Sequence, residues 1–279
     1  MQGARRAARL LAVAGWPIAH SRSPQMMQAA LADVGLRDWR YLRLPIPPGE
    51  FEGVVRALRD LGYVGLNVTI PHKLAAARLA DERSEAVAVT GAANTLHFRD
   101  GRVFAENTDV AGLLDALPIS PRGLAAVVLG AGGAGRAAAY ALRSAGAAQV
   151  RVWNRTPERA RELAQALAIE AVTDPLDRPT DLLVNATSVG LDPNLPMQEA
   201  LAMLGLAGRE PPPLVVDLVY GAQPTPLERW ARRREVRFVG GLEVLVRQGA
   251  RSFEIWTGRV PSLAVMRAAV GAAQVDRRD

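Results

Sequence analysis

Ala125-Ala126-Val127-Val128-Leu129-Gly130-Ala131-Gly132-Gly133-Ala134-Gly135-Arg136 is the stretch on which the reading of this chain turns. Its first five residues form a short apolar run with the β-branched content of a buried parallel strand. Gly130, Gly132 and Gly135 follow in G-x-G-x-x-G spacing, and the alanine-rich segment Arg136–Ala145 reads as a helix. Gly146 stops that helix, and Gln149–Trp153 reads as a second strand. This order of strand, turn, helix and strand is the context in which the glycine spacing signifies a diphosphate site rather than an ordinary turn. The first glycine permits a tight turn, the second lets backbone approach a pyrophosphate, and the third brings helix against strand. The helix start adds free N–H groups and the positive end of a dipole.

The end of the second strand is more specific. An NAD site usually carries Asp or Glu there to hold a ribose hydroxyl. This chain has Asn154-Arg155-Thr156 instead. Without a carboxylate nothing repels a 2′-phosphate, and a guanidinium is suited to bind one, so NADP is expected over NAD. Thr156 also stands where it would cap a helix beginning at Pro157.

With 279 residues, 49% of them hydrophobic, one large or two moderate domains are expected. No apolar run is long enough to span a bilayer, and the basic start Met1–Arg9 leads into a strand without a cleavage-type signal, which points to a cytoplasmic protein. There is no cysteine, and the three histidines, His20, His72 and His97, lack metal-ligand spacing, so no metal site is expected. The net charge of +6 comes from dispersed arginines, and the one dense run, Arg232-Arg233-Arg234, ends a helix. That pattern disfavours nucleic acid and suits anionic small molecules. Lys73 is the only lysine in the chain. Arginine does not release its proton in proteins whereas lysine can, so a composition drifted to arginine keeps lysine where that matters.

From the N-terminus, Leu10–Trp16 reads as a strand running into Ser21-Arg22-Ser23-Pro24 and a helix to about Val34. The two hydroxyls and the helix start could converge on an anion, or Ser23 could simply cap the helix with Pro24 at its first position. Trp39–Leu44 is a strand, Phe51–Leu61 an amphipathic helix and Val64–Thr69 a strand that leads into Ile70-Pro71-His72-Lys73. Lys73 falls in the first turn of the next helix, where the dipole disfavours a protonated amine; His72 is read as structural. Thr95–Phe98 and Val103–Glu106 form a hairpin about Asp100-Gly101. Asp109 opens the next helix, as an N-cap or as a carboxylate facing a cleft, and Pro118–Pro121 reads as a linker. Asp181–Val184, Leu214–Tyr220 and Val236–Val239 are further strands, and Pro157–Leu167 and Pro226–Arg234 further helices. The alternation predicts two α/β units with parallel sheets. The helices Leu242–Trp256 and Pro261–Ala273 come too late to complete the nucleotide sheet and are expected to pack back on the first domain or the hinge.

Read in order, Ser21-Arg22-Ser23-Pro24, Asn67-Val68-Thr69-Ile70-Pro71-His72-Lys73, Asn94-Thr95, Asn107-Thr108-Asp109, the glycine stretch, Asn154-Arg155-Thr156, Asn185-Ala186-Thr187-Ser188, Asp217-Leu218-Val219-Tyr220 and Gly240-Gly241-Leu242 through Gln248 resemble the shikimate dehydrogenase family over nearly the whole chain. The resemblance implies an N-terminal substrate domain, residues 1–117 with 242–279 returning to it, and a Rossmann-type NADP domain, residues 118–241. It implies reversible NADP-linked oxidation of shikimate to 3-dehydroshikimate in aromatic amino acid biosynthesis, in a cleft between the domains. Lys73 and Asp109 would be the catalytic pair. Ser21 and Ser23 would hold the substrate carboxylate, and Asn67, Thr69, Asn94, Tyr220 and Gln248 would contact its carboxylate or hydroxyls. Gly130, Ala131, Gly132, Gly133, Ala134, Asn154, Arg155, Thr156, Arg159, Leu218 and Gly241 would line the cofactor. The chain departs from the family's usual pattern at Ala222, where proline is common, and at Gln25-Met26-Met27-Gln28, where His-Asn is common. Two alternatives remain at this stage: a quinate/shikimate relative with relaxed cofactor choice, and a catalytically idle NADP-binding sensor. Small-molecule substrate and cofactor are the expected partners, with a homodimer as one arrangement of the chain.

Overall fold

The computed structural model describes residues 8–272. Most of the basic start, residues 1–7, and everything from Ala273 on lie outside that range. Residues up to Thr108 together with Gln248–Ala272 form one unit, and Asp109–Arg247 another; both boundaries fall inside helices, Thr108–Ala116 and Gly241–Thr257.

The first unit holds strands β1 (Arg9–Gly15), β2 (Trp39–Pro45), β3 (Gly65–Val68), β4 (Glu82–Arg83), β5 (Thr95–Arg99) and β6 (Arg102–Glu106), in the order β2-β1-β3-β5-β6-β4. β2 and β3 run parallel to β1, but β5 is antiparallel to both β3 and β6, so this sheet is mixed: the β5–β6 pair is the hairpin expected from the sequence, and the β3–β5 pair departs from the parallel pairing expected elsewhere. Asp100 and Gly101 both take positive φ, 53° and 71°, the geometry of a two-residue turn, and such a turn can join only antiparallel strands. One face of the sheet buries Ala12, Ala14, Leu66, Val68 and Leu96 against Phe51, Val55 and Leu58 of the helix Phe51–Asp60, with Ala76 and Ala77 of the helix Lys73–Leu79 alongside. Against the other face, Trp256 of the last turn of Gly241–Thr257 donates its indole N–H to Leu96 O at 2.9 Å. A Cβ at Gly65 would stand 2.6 Å from that carbonyl and inside the indole, so the strand carries glycine there. The final helix, Leu263–Val270, packs on the helix Ser23–Asp33, as expected of the C-terminal helices. Met26 and Met27, where the sequence departs from the family pattern, are fully buried in Ser23–Asp33.

The second unit carries β7 (Ala125–Leu129), β8 (Gln149–Trp153), β9 (Glu170–Ala171), β10 (Leu182–Asn185), β11 (Leu214–Asp217) and β12 (Arg237–Gly240), all parallel, in the order β12-β11-β10-β7-β8-β9. This is the doubly wound dinucleotide arrangement, with its topological switch between β7 and β10. Val127, Leu129, Leu183 and Val215 form its core with Leu201, Leu204, Leu227 and Trp230. Several boundaries differ from those expected. The helix after β7 begins at Gly133 rather than Arg136, because its first turn is built from glycines that pattern reading takes for loop. β11 ends at Asp217 rather than Tyr220, because the Leu218 N–H turns to Asn185 O at 3.0 Å and the Asp217 carboxylate takes the Val219 N–H at 3.1 Å. Pro118–Pro121 lies inside the second unit, between Thr108–Ala116 and β7. The helix Met197–Met203 and the two-residue strands β4 and β9 carry too little periodicity to be marked from sequence.

Arg151, in the middle of β8, is fully buried. Its guanidinium donates to Asp177 Oδ1 at 2.9 Å, Thr180 Oγ1 at 2.6 Å and Pro179 O at 3.3 Å, tying the loop that follows β9 to the sheet.

Candidate active site

In the first unit, three of the predicted substrate residues meet in one buried polar cluster. Asn67, near the end of β3, accepts the Tyr41 hydroxyl on Oδ1 at 2.7 Å. Its amide donates to Ser252 Oγ at 3.0 Å, Asn94 O at 3.2 Å and Thr95 Oγ1 at 3.2 Å. Asn94 donates to Thr108 Oγ1 at 2.9 Å and Gln248 Oε1 at 3.1 Å, and accepts the Thr108 N–H at 2.7 Å. Segments 154 and 185 residues apart are thus joined by side chains alone. Such a network is stable only when nearly every member is satisfied, which fixes each amide's orientation before any ligand arrives. Tyr41, Thr95, Thr108 and Ser252 complete it and were missed from sequence. Ser252 follows Gln248 by four residues, one turn along the same helix face, and that spacing was the available signal.

Ser21 and Ser23 are both buried, at the entry to the helix Ser23–Asp33. Ser23 is not its cap. It is the first helical residue, Arg22 occupies the cap position without a side-chain bond, and the Ser23 N–H reaches Ser21 Oγ at 3.3 Å. Arg43 holds the turn by donating to Ser21 O at 2.7 Å. Among the described residues, the Ser23 and Thr69 hydroxyls take no hydrogen bond, so both are available to a ligand.

Lys73 opens the helix Lys73–Leu79, half-buried, and its carbonyl accepts the Ala93 N–H at 2.9 Å. That bond ties the only lysine to the residue before Asn94. His72 is structural, as read: its ring stacks on Phe51 at 4.4 Å, Nε2 lies 2.7 Å from Ile46 O, and burial holds its pKa below the ordinary value despite that carbonyl. Asp109 is the second residue of Thr108–Ala116, inside the first turn rather than at the cap. Asn107 donates to Ala92 O at 2.8 Å.

All the predicted cofactor residues fall in the second unit. Gly130 has φ 105°, and a Cβ there would lie 3.0 Å from Ala186 O. Gly132 caps Gly133–Ser144 with no side chain on the first N–H groups, and a Cβ on it would meet nothing within 4 Å. Open space before bare N–H groups is what a pyrophosphate needs. Asn154 Oδ1 accepts the Ala131 N–H at 3.3 Å and its amide donates to Thr156 O at 2.9 Å, which ties the end of β8 to the glycine turn. Thr156 holds the N-cap position of Pro157–Leu167 without a side-chain cap bond. Arg155 and Arg159 are exposed, with no side-chain partner among the described residues. Both cations are free for an anion. Gly241 opens its helix so close to the turn after β11 that a Cβ would stand 2.8 Å from Val219 O. Leu218 and Tyr220 lie in that turn, half-buried.

Three family descriptions match the chain: a shikimate dehydrogenase substrate binding domain over residues 13–96, shikimate / quinate 5-dehydrogenase over 119–218, and a shikimate 5′-dehydrogenase C-terminal domain over 241–270. A curated NADP(+) shikimate dehydrogenase of Methanopyrus kandleri is 42% identical over 273 residues, covering 92% of each chain. The chain belongs to the shikimate dehydrogenase family. The crystal structure of the Thermus thermophilus shikimate 5-dehydrogenase in complex with NADP(H) and shikimate is 41% identical, with TM-score 0.83 over 94% of this chain and 98% of that one. The Aquifex aeolicus shikimate dehydrogenase is 34% identical, with TM-score 0.84 over 94% and 97%. The glycine turn and the Asn154-Arg155-Thr156 segment lie inside the family's second matched region, and Asn67 and Asn94 inside the first. Among the described residues no helix is long and apolar enough to cross a membrane, and no three potential metal ligands are grouped.

Proposed function

We infer that this chain is an NADP-dependent shikimate dehydrogenase of the cytoplasm, acting as a single chain or a homodimer. It reduces 3-dehydroshikimate to shikimate reversibly on the route to the aromatic amino acids. The observation that carries this is the convergence of Asn67, Asn94 and Gln248 into one prepaid polar cluster on a chain of this family. Residues 1–117 with 242–279 serve the substrate, and residues 118–241 the cofactor.

NADP, when bound, supplies the hydride acceptor. The protein's own task is the proton. Lys73 takes the proton of the hydroxyl being oxidised and returns it in the biosynthetic direction, and Asp109 orients the amine. Ser21 and Ser23 bind the substrate carboxylate, while Thr69, Asn67, Asn94, Tyr220 and Gln248 receive its carboxylate or hydroxyls. Because the amides are already oriented by their neighbours, little ordering is left to the moment of binding. Gly130–Ala134 with Asn154 and Thr156 hold the pyrophosphate and ribose, and Leu218 and Gly241 line the nicotinamide end. Arg155, just before the cap of the helix Pro157–Leu167, and Arg159 in its first turn bind the 2′-phosphate.

Arg155→Ala tests the cofactor assignment. Losing one charge-assisted contact of about 1.5–3 kcal/mol raises KM for NADP roughly 10- to 100-fold. KM for NAD, which has no 2′-phosphate, stays within about twofold. Equal weakening of both cofactors would remove the 2′-phosphate role of Arg155.

A further inference from the structure

Asp217, the last residue of β11, is wholly buried, and among the described residues no cation faces it. Among the described residues the one charged group acting on it is Glu228 of the helix Pro226–Arg232, itself paired with Arg232 at 2.6 Å. β10 offers it the Asn185 amide, and the one charged residue of β12, Arg237, pairs with Leu214 at the far end of β11. Burial pushes the carboxyl up to about 6. An uncompensated buried carboxylate is expensive, and an apolar residue of similar shape would avoid that cost.

What the carboxylate does is accept from three segments at once. Oδ1 takes the Asn185 amide at 2.8 Å and the Val219 N–H at 3.1 Å, and Oδ2 takes the Thr225 hydroxyl at 2.6 Å. Asn185 in turn organises its own turn, accepting the Thr187 N–H at 3.1 Å and hydroxyl at 2.7 Å. Thr225 caps Pro226–Arg232 by accepting the Glu228 N–H at 3.2 Å. The backbone of the Asn185 turn closes on Gly130, and that of Leu218 and Val219 on Gly241. One side chain therefore locks together the turns after β10 and β11, to which the turn after β7 and the start of Gly241–Thr257 are fitted.

We propose that Asp217 is a positioning residue: it sets the Leu218–Tyr220 turn, so that Leu218 meets the nicotinamide end of NADP and Tyr220 the substrate. The proposal rests on the functional reading above. Asp217→Asn preserves shape and one acceptor but turns an N–H₂ toward a Thr225 hydroxyl whose own proton then lacks a partner. The Thr225 hydroxyl can be removed alone with Thr225→Val and restored with Thr225→Ser.

The test is NADPH binding followed by fluorescence, together with steady-state kinetics, on folded variants checked by circular dichroism. Asp217→Asn is expected to weaken NADPH binding and raise both KM values about tenfold or more, with kcat within about threefold, since a lost charged hydrogen bond is worth that much and Lys73 is untouched. Thr225→Val should show a smaller shift in the same direction, and Thr225→Ser should return to wild type. If Asp217→Asn does not fold, the Thr225 pair decides alone. Unchanged NADPH binding and KM in Asp217→Asn, or in Thr225→Val where that pair decides, would overturn the proposal. So would a fall in kcat with both KM values unchanged. A wild-type chain that binds no NADPH would remove the functional reading, and this inference with it.

Discussion

Lys73→Ala is expected to lower kcat by about two to four powers of ten, the usual worth of a positioned acid–base group, while shikimate still binds. Oxidising an alcohol by hydride transfer requires its proton to leave as the hydride goes, and an alkoxide left in the site without an acceptor is far higher in energy. The chain offers one amine able to do this, and the main chain fixes where it starts: Lys73 opens its helix, and its carbonyl is bonded to the Ala93 N–H beside Asn94. Lys73→Arg should be almost as poor. A guanidinium keeps the positive charge but does not give up a proton at working pH. The substrate dissociation constant, measured by calorimetry, should move less than about tenfold in either variant, because Asn67 and Asn94 are oriented by their bonds to Tyr41, Ser252, Thr108 and Gln248. A Lys73→Ala protein with kcat near wild type would show that another group carries the proton.

The second large effect is expected at Gly135. A Cβ there would sit 2.7 Å from the Gly130 carbonyl carbon and closer still to its oxygen, and neither can give way without moving the turn. Gly130 has little freedom, being itself closed in by Ala186 and Thr187 at 3.0 to 3.1 Å. Gly135→Ala must therefore push the helix Gly133–Ser144 off the end of β7. Forcing extra volume into such a contact costs about 1–3 kcal/mol or more, and the displacement carries the helix N-terminus with it. Both readouts should move together: a lower urea midpoint and a KM for NADP raised about tenfold or more. Gly132→Ala makes the instructive contrast. The space about Gly132 is open in the protein, so its Cβ should leave stability nearly unchanged and act only against the bound pyrophosphate. Loss of stability in Gly132→Ala with normal nucleotide binding would contradict this division of labour.

The parts of this protein legible in its sequence are those governed by local rules. Gly130, Gly132 and Gly135 have their meaning within six residues of one another, so the strand–turn–helix and the parallel sheet built on it follow from spacing. The Asp100-Gly101 hairpin is equally local. The antiparallel pairing of β3 with β5 was not legible, because nothing in β3 announces that its next neighbour runs the other way; the alternation of strands and helices favours a parallel neighbour there. Nor was the cluster around Asn67. Tyr41 and Ser252 join it across 26 and 185 residues; only the four-residue spacing from Gln248 hints at Ser252, and no spacing singles out Tyr41. Caps were legible only in part: of the two roles open to Ser23 the cap falls away, since Arg22 holds that position, whereas Thr156 does hold the N-cap position of its helix, without a side-chain bond. Asp217 was read as strand because β11 is apolar up to it, and only burial beside Asn185 and Thr225 exposes its load.

The central claim is that this chain moves a hydride between shikimate and NADP with Lys73 as the proton carrier. It is tested most directly by following the reduced-nicotinamide absorbance when purified protein is mixed with shikimate and either NADP or NAD. The account predicts sustained reduction of NADP, much slower reduction of NAD, and almost none with Lys73→Ala. No reduction of either cofactor by the folded wild-type protein would contradict it.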